Sequence, residues 1–138
     1  MRLRYKTWAP DYLKKSKWVV SNPEKYKGKW HKVFKNDNPI KLEVGMGKGG
    51  FINKHSLAND NFNHLGLERS ESIHVIPVQK IDKDYKPKER MNIRYISADA
   101  ENLSDFFEDN SIHTIFVNFP DPWPKARHGK RRLVFRSF

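Results

Sequence analysis

Cysteine is absent from the 138 residues. That excludes a disulfide-stapled secreted domain, thiolate metal sites and thiol redox chemistry. Long apolar runs are missing too. None approaches the about 20 residues that cross a bilayer, and the basic start at Met1 has no apolar segment behind it that would read as a leader. The expectation is a cytoplasmic protein without a membrane contact. Histidine is sparse, with six scattered along the chain. None forms the i, i+4 pair that holds a metal on a helix, so no metal site is expected. Glycine is also scarce, but four of the seven (Gly45, Gly47, Gly49 and Gly50) fall within one short stretch.

Positive charge is plentiful. Lys and Arg number 27 against 16 Asp and Glu, a formal net charge of +11. The excess is uneven: residues 1–32 carry +8, residues 125–138 carry +6, and the centre between them is mildly acidic. A nearly neutral body with two basic ends suits a domain that meets a polyanion at its edges. The length allows one compact core rather than two.

Residues 1–39 read as an N-terminal arm, and residues 40–138 as the main domain. In the arm Trp8, Trp18 and Trp30, with Tyr5, Tyr12 and Tyr26, alternate with lysines, and Pro10, Pro23 and Pro39 permit only short helices. Such rings can stack on bases, but capping the core is the expected role for most of them. Beyond Pro39 strands and helices alternate. Strands are expected at residues 40–45, 63–68, 92–97 and 112–119, the last nearly all apolar and so expected to be central. Helices are expected at residues 51–58 and 100–109. Between the second and third strands, Pro77 and Pro87 predict a kinked or shortened crossover helix. Strands alternating with helices give an α/β fold, a parallel sheet with right-handed crossovers and helices on both faces.

The glycine cluster closes the first strand as Glu43-Val44-Gly45-Met46-Gly47-Lys48-Gly49-Gly50. Glycines let the chain turn sharply and let a ligand approach the backbone. Glu43 stands where an ammonium group would be held. Glu68 ends the second strand, where a carboxylate accepts both ribose hydroxyls of a nucleoside. Asp99 follows the third strand, placed for an adenine amino group or for a helix N-cap. Three acids at successive strand ends point to one ligand lying across the carboxyl edge of the sheet. Directly after the fourth strand comes Asn118-Phe119-Pro120-Asp121-Pro122-Trp123-Pro124-Lys125. Its three prolines stiffen the loop around Asp121 and Trp123, and a cationic run follows at residues 127–132.

At this loop the sequence resembles the bacterial tRNA (guanine-N7)-methyltransferase family. The stretch Asn-Phe-Pro-Asp-Pro-Trp-Pro-Lys, followed by Arg-His-Gly-Lys-Arg-Arg, is similar to that family's signature. The opening residues 1–13, the glycine turn, Leu-Gly-Leu-Glu-Arg-Ser and Ser-Ala-Asp-Ala also fit it, so the resemblance runs along nearly the whole chain. It implies a Rossmann-like fold and the cofactor S-adenosylmethionine (SAM), contacted at Glu43, Gly45, Gly47, Gly49, Glu68, Asp99 and Asp121. It implies Asp121 as the catalytic residue, and Lys125, Arg127, His128, Lys130, Arg131 and Arg132 as contacts to tRNA. The reaction it implies is methylation of a guanine in the tRNA variable loop. Later motifs of the family, a Lys-Thr-Asp stretch among them, are absent. This predicts a missing C-terminal portion, possessed by some other chain or lost, and leaves two other readings: a non-catalytic tRNA-binding fragment, and half of a nicotinamide-dependent oxidoreductase.

Overall fold

The computed structural model describes residues 5–117. Four strands, β1 (Ile40–Val44), β2 (Asn63–Glu68), β3 (Ile93–Ser97) and β4 (Thr114–Val117), form a wholly parallel sheet in the order β3-β2-β1-β4. The first three are largely buried on both faces, as parallel strands covered by crossover helices must be, although each carries polar residues. The expected strand boundaries hold to within about two residues, save the end of the fourth, whose residues 118–119 lie outside the described residues. The apolar β4 differs from expectation in its place. Among the described residues it lies at the sheet edge beside β1, and all four of its residues are only half-buried.

One hydrophobic cluster fills each side of the sheet. On the first side Leu42, Val44, Leu65, Leu67 and Ile96 pack under Trp30, Phe34, Phe106 and Phe107. These come from α2 (Trp30–Phe34) and the region of α5 (Leu103–Phe106). On the second side Ile93 and Tyr95 pack under Ile52 of α3 (Gly50–Ala58) and Val75, Val78 and Ile81 of α4 (Glu71–Asp84). The 75, 78, 81 spacing is one stripe of a helix, which is why α4 turns that face inward.

Two expected elements need comment. Of the kinked or shortened crossover helix, the shortening is not seen: α4 runs for 14 residues with Pro77 inside it. Proline removes one helical N–H and crowds the preceding turn, and here its buried ring is seated against Gly49, where a Cβ would collide with it. The helix expected at residues 100–109 is broken into a 3₁₀ turn (Ala100–Asn102) and one turn of α5. It ends because Phe107 turns extended (φ −133°, ψ 138°) and stacks on Trp30, with centroids 5.3 Å apart.

The arm wraps the β3 edge of the sheet. Its first helix α1 (Ala9–Lys15) packs on α4, and Ala9 and Leu13 join the second cluster. Asp82 of α4 accepts from Tyr12 Oη at 2.6 Å and from Trp18 Nε1 at 2.8 Å. The chain then crosses the edge: Tyr95 N donates to Trp18 O and Val20 N to Tyr95 O, each at 2.8 Å. These bonds occupy backbone groups that an edge strand would leave open. Beyond the crossing, Trp30 and Phe34 are buried on the opposite side of the sheet. Most of the arm's rings thus cap the core, as expected; Tyr5 and Trp8 stay exposed. Among the described residues no helix is long and apolar enough to cross a membrane.

Candidate functional site

The strand order 3-2-1-4 puts a topological switch point between β1 and β4, since the chain moves outward from β1 to β3 and then returns to the other side of β1. Crevices for ligands form at the carboxyl ends of the strands at such points, where neighbouring connections diverge. The glycine turn stands there. Gly45, Gly47 and Gly49 have φ of +69°, +58° and +72°, a region that side chains disfavour and glycine does not. The turn is tied to the end of β2: Gly45 N and Met46 N both donate to Leu67 O, at 2.9 and 3.0 Å. A Cβ on Gly47 would meet nothing within 4 Å, so the backbone presents an open face there.

Glu68 was expected to face a ribose. The structure gives it a further task. Its Oε1 accepts from Gly47 N and its Oε2 from Ser70 N, each at 3.0 Å. The carboxylate therefore clamps the glycine turn to the start of α4. It is half-buried, and each oxygen retains lone-pair capacity for a ligand hydroxyl. Glu43 is on β1 beside the turn and is only 2% exposed, a carboxylate held at the floor of the site. Asp99 caps the 3₁₀ turn after β3, accepting from Glu101 N at 3.3 Å, and pairs with Arg69 Nη1 at 3.7 Å. The N-cap reading of Asp99 is therefore realised, and its carboxylate remains partly exposed at the same edge. At the end of β3, Ser97 Oγ lies 2.7 Å from His74 Nδ1. Burial lowers the His74 pKa to about 4, so the ring is neutral near pH 7.

The structure thus brings Glu43, Gly45, Gly47, Gly49, Glu68 and Asp99 to one edge of the sheet. Asp121, Lys125, Arg127, His128, Lys130, Arg131 and Arg132 lie outside the described residues; their segment begins directly after Val117, the last residue of β4. Sequence reasoning missed the supports. Asn53 of α3 accepts from Tyr95 Oη and donates to Pro77 O at 3.3 Å, joining the helix after the glycine turn to β3 and α4. At Gly66 of β2 a Cβ would strike the Met46 sulfur and come within 3.2 Å of the Tyr95 ring, so glycine there makes room for both side chains under the turn. A glycine inside an apolar strand was the available signal.

SAM is the group the sequence resemblance implies, and the residues present fit it. An open glycine backbone, a carboxylate at the end of the second strand and a buried carboxylate at the floor suit a nucleoside carrying an ammonium group.

Residues 37–138 match the family described as putative methyltransferases. The chain is 48% identical over 139 residues to the tRNA (guanine-N(7)-)-methyltransferase of Bacillus licheniformis. It is 45% identical to those of Bacillus subtilis and Listeria monocytogenes. Each match takes in 100% of this chain and 63% of the relative. The chain therefore spans just under two thirds of the length of these relatives. Among solved structures, a putative S-adenosyl-L-methionine-dependent methyltransferase from Methanococcus maripaludis superposes with a TM-score of 0.54 at 18% identity, covering 99% of this chain and 62% of that one. An antibiotic-related methyltransferase superposes with a TM-score of 0.57 at 17% identity, covering 80% of this chain and 55% of that one. At these identities the likeness is one of fold, and it agrees with the expected Rossmann-like architecture.

Proposed function

The chain belongs to the putative methyltransferase family, and on that premise we propose that it transfers a methyl group from SAM to N7 of a guanine in the variable loop of tRNA. The observation that carries the proposal is the glycine turn at the switch point, clamped by Glu68 and floored by Glu43. The names of relatives 41–48% identical along the whole chain support the choice of substrate. A cytoplasmic setting follows from that substrate.

Glu43 would hold the ammonium of the bound amino acid portion, the turn at Gly45, Gly47 and Gly49 would lie along the cofactor, and Glu68 would accept from the ribose hydroxyls. Asp99 would meet the adenine amino group. Bound SAM supplies an activated methyl group on a sulfonium. Guanine N7 carries an in-plane lone pair outside the aromatic system, so it attacks without losing a proton and no strong general base is required. The task left to the chain is alignment in a dry site. Methylation makes the purine cationic. Asp121, in the proline-rich segment that follows β4 in sequence, would orient the guanine edge and offset that charge. Lys125 and the cations at Arg127, His128, Lys130, Arg131 and Arg132 would hold phosphates, which makes the affinity salt-sensitive.

The test has two arms. Calorimetry with SAM, and with NAD as control, should show SAM binding alone. Methyl transfer to unmodified tRNA should be lost in Asp121→Ala while tRNA affinity stays within about threefold of the parent. NAD binding without SAM binding, or unchanged methylation by that variant, overturns the reading.

A further inference from the structure

Where the arm crosses the β3 edge it borders a half-open cavity of about 400 Å³. Four cations line it, Lys17, Lys25, Lys32 and Arg94, together with Ser21 and Asn22, and no carboxylate does. None of these residues belongs to the glycine-turn site. Arg94 is the fixed member. It projects from β3 with its guanidinium carbon 4.9 Å from the Trp18 ring centre and 5.7 Å from that of Phe34. Its Nη1 donates to the carbonyls of Arg90, at 2.8 Å, and Ile93, at 2.6 Å. These partners are neutral. Among the described residues no carboxylate forms an ion pair with Arg94 within 4.0 Å. Burial pushes its pKa down, a sign that the charge has lost water without gaining an acid.

A partly desolvated guanidinium without a counter-charge is costly to keep. Its cost is offset when an anion arrives from outside, and a planar fork held by two rings is ready for phosphate oxygens. The three lysines around it add charge over distances that salt screens only partly, since the Debye length is about 8 Å at physiological ionic strength. The cavity also lies away from the glycine turn. Arg94 is three residues before the end of β3, and β3 is two strands from β1, a separation of roughly 14 Å from strand rise and spacing. A ligand that fills this cavity while its base sits at the switch point must be an extended polyanion.

We propose that the cavity between the arm and β3 is a phosphate-binding subsite that grips the backbone of the RNA substrate away from the reacting base, with Arg94 as its anchor and Lys17, Lys25 and Lys32 as its rim. This rests on the reading that the substrate is RNA. The test is the 138-residue chain carrying Lys17→Gln, Lys25→Gln and Lys32→Gln together, with Arg94→Lys as a second variant that keeps the charge and loses the fork. Filter binding of tRNA across a potassium chloride series should give the triple variant a Kd about tenfold weaker and a salt slope shallower by about 2 to 3. Arg94→Lys should weaken binding less than the triple variant, and leave the slope unchanged. SAM affinity by calorimetry should match the parent in both. If the variants bind tRNA with the parent's Kd and slope, the subsite is overturned. If the triple variant loses binding of inorganic phosphate but not of tRNA, the site takes a small phosphate and the RNA assignment is overturned. Methylation is read separately. A parent that binds tRNA through these cations without methylating it overturns the proposed function and leaves the subsite standing. A parent that binds no tRNA overturns both.

Discussion

Gly49 and Pro77 are seated against each other: a Cβ on Gly49 would overlap the Pro77 Cβ and come within 3.0 Å of its Cγ. One residue closes the glycine turn and the other interrupts the hydrogen bonds of α4. The missing Cβ at Gly49 is what leaves room for the Pro77 ring. Gly49→Ala meets a left-handed φ of +72° and a clash with a ring that cannot rotate away. The conformational term is about 1–2 kcal/mol, and overpacking adds about 1–3 kcal/mol. Urea denaturation should show a loss of about 3 kcal/mol, and calorimetry a loss of SAM binding. An unfolding midpoint within error of the parent would sink this account of the contact.

That contact also shows where sequence reading stops. The strands were legible from their alternation with helices, and the glycine turn and strand-end acids from their spacing. The full length of α4 was not, because the room for the Pro77 ring is an absent Cβ far along the chain. The end of α5 was hidden for the same reason, since Phe107 leaves the helix for Trp30 of the arm. Asp99 could be read as a cap because a cap is local. The clamp made by Glu68 could not, as it needs the turn and the start of α4 in register. The edge position of β4 among the described residues likewise depends on strand order, which an apolar run does not encode.

Glu68→Gln separates clamp from charge. An amide has one accepting oxygen, so it satisfies one of the two N–H groups and turns a donor toward the other. Hydrogen bonds to a charged acceptor contribute about 1.5–3 kcal/mol, and the variant should lose about 2 kcal/mol in stability. The same change removes charge-assisted acceptance from a ribose. The SAM Kd should rise about tenfold, on the scale of 1.4 kcal/mol per decade. Unaltered SAM affinity in a folded variant would remove Glu68 from the cofactor site.

His64 and His74 set a limit on the acid side. Both are fully buried, and burial lowers each pKa to about 4. No described partner meets either Nε2. In the unfolded chain an imidazole takes its proton near pH 6.5. Between about pH 6.5 and 4 the unfolded state therefore binds more protons than the native state, and stability falls as pH falls through that window. Each ring contributes at most about 3 kcal/mol to this loss, with a slope of about 1.4 kcal/mol per pH unit. Denaturation at pH 7.5, 6, 5 and 4.5 should show the decline, and His74→Gln should flatten it by about one proton. A slope identical in parent and variant would show that His74 does not titrate across unfolding.

Trp30 decides whether the arm is an appendage or part of the fold. Its indole N–H donates to Phe106 O at 2.9 Å in a buried setting, and its ring stacks on Phe107. Trp30→Phe keeps most of the packing and strands the Phe106 carbonyl, a cost of about 1–2 kcal/mol. Trp30→Ala adds a cavity under the first cluster and should cost about 3–5 kcal/mol. Because the arm crosses the β3 edge and buries Trp30 beneath it on the far face, the loss should appear in the single cooperative transition of the whole domain, read by near-ultraviolet circular dichroism. It should also weaken tRNA binding wherever the native population falls, but not in the Phe variant below its unfolding midpoint. A Trp30→Ala protein with the parent's midpoint would mean that residues 1–39 hang free of the sheet, and the cavity walled by that arm would lose its basis as well.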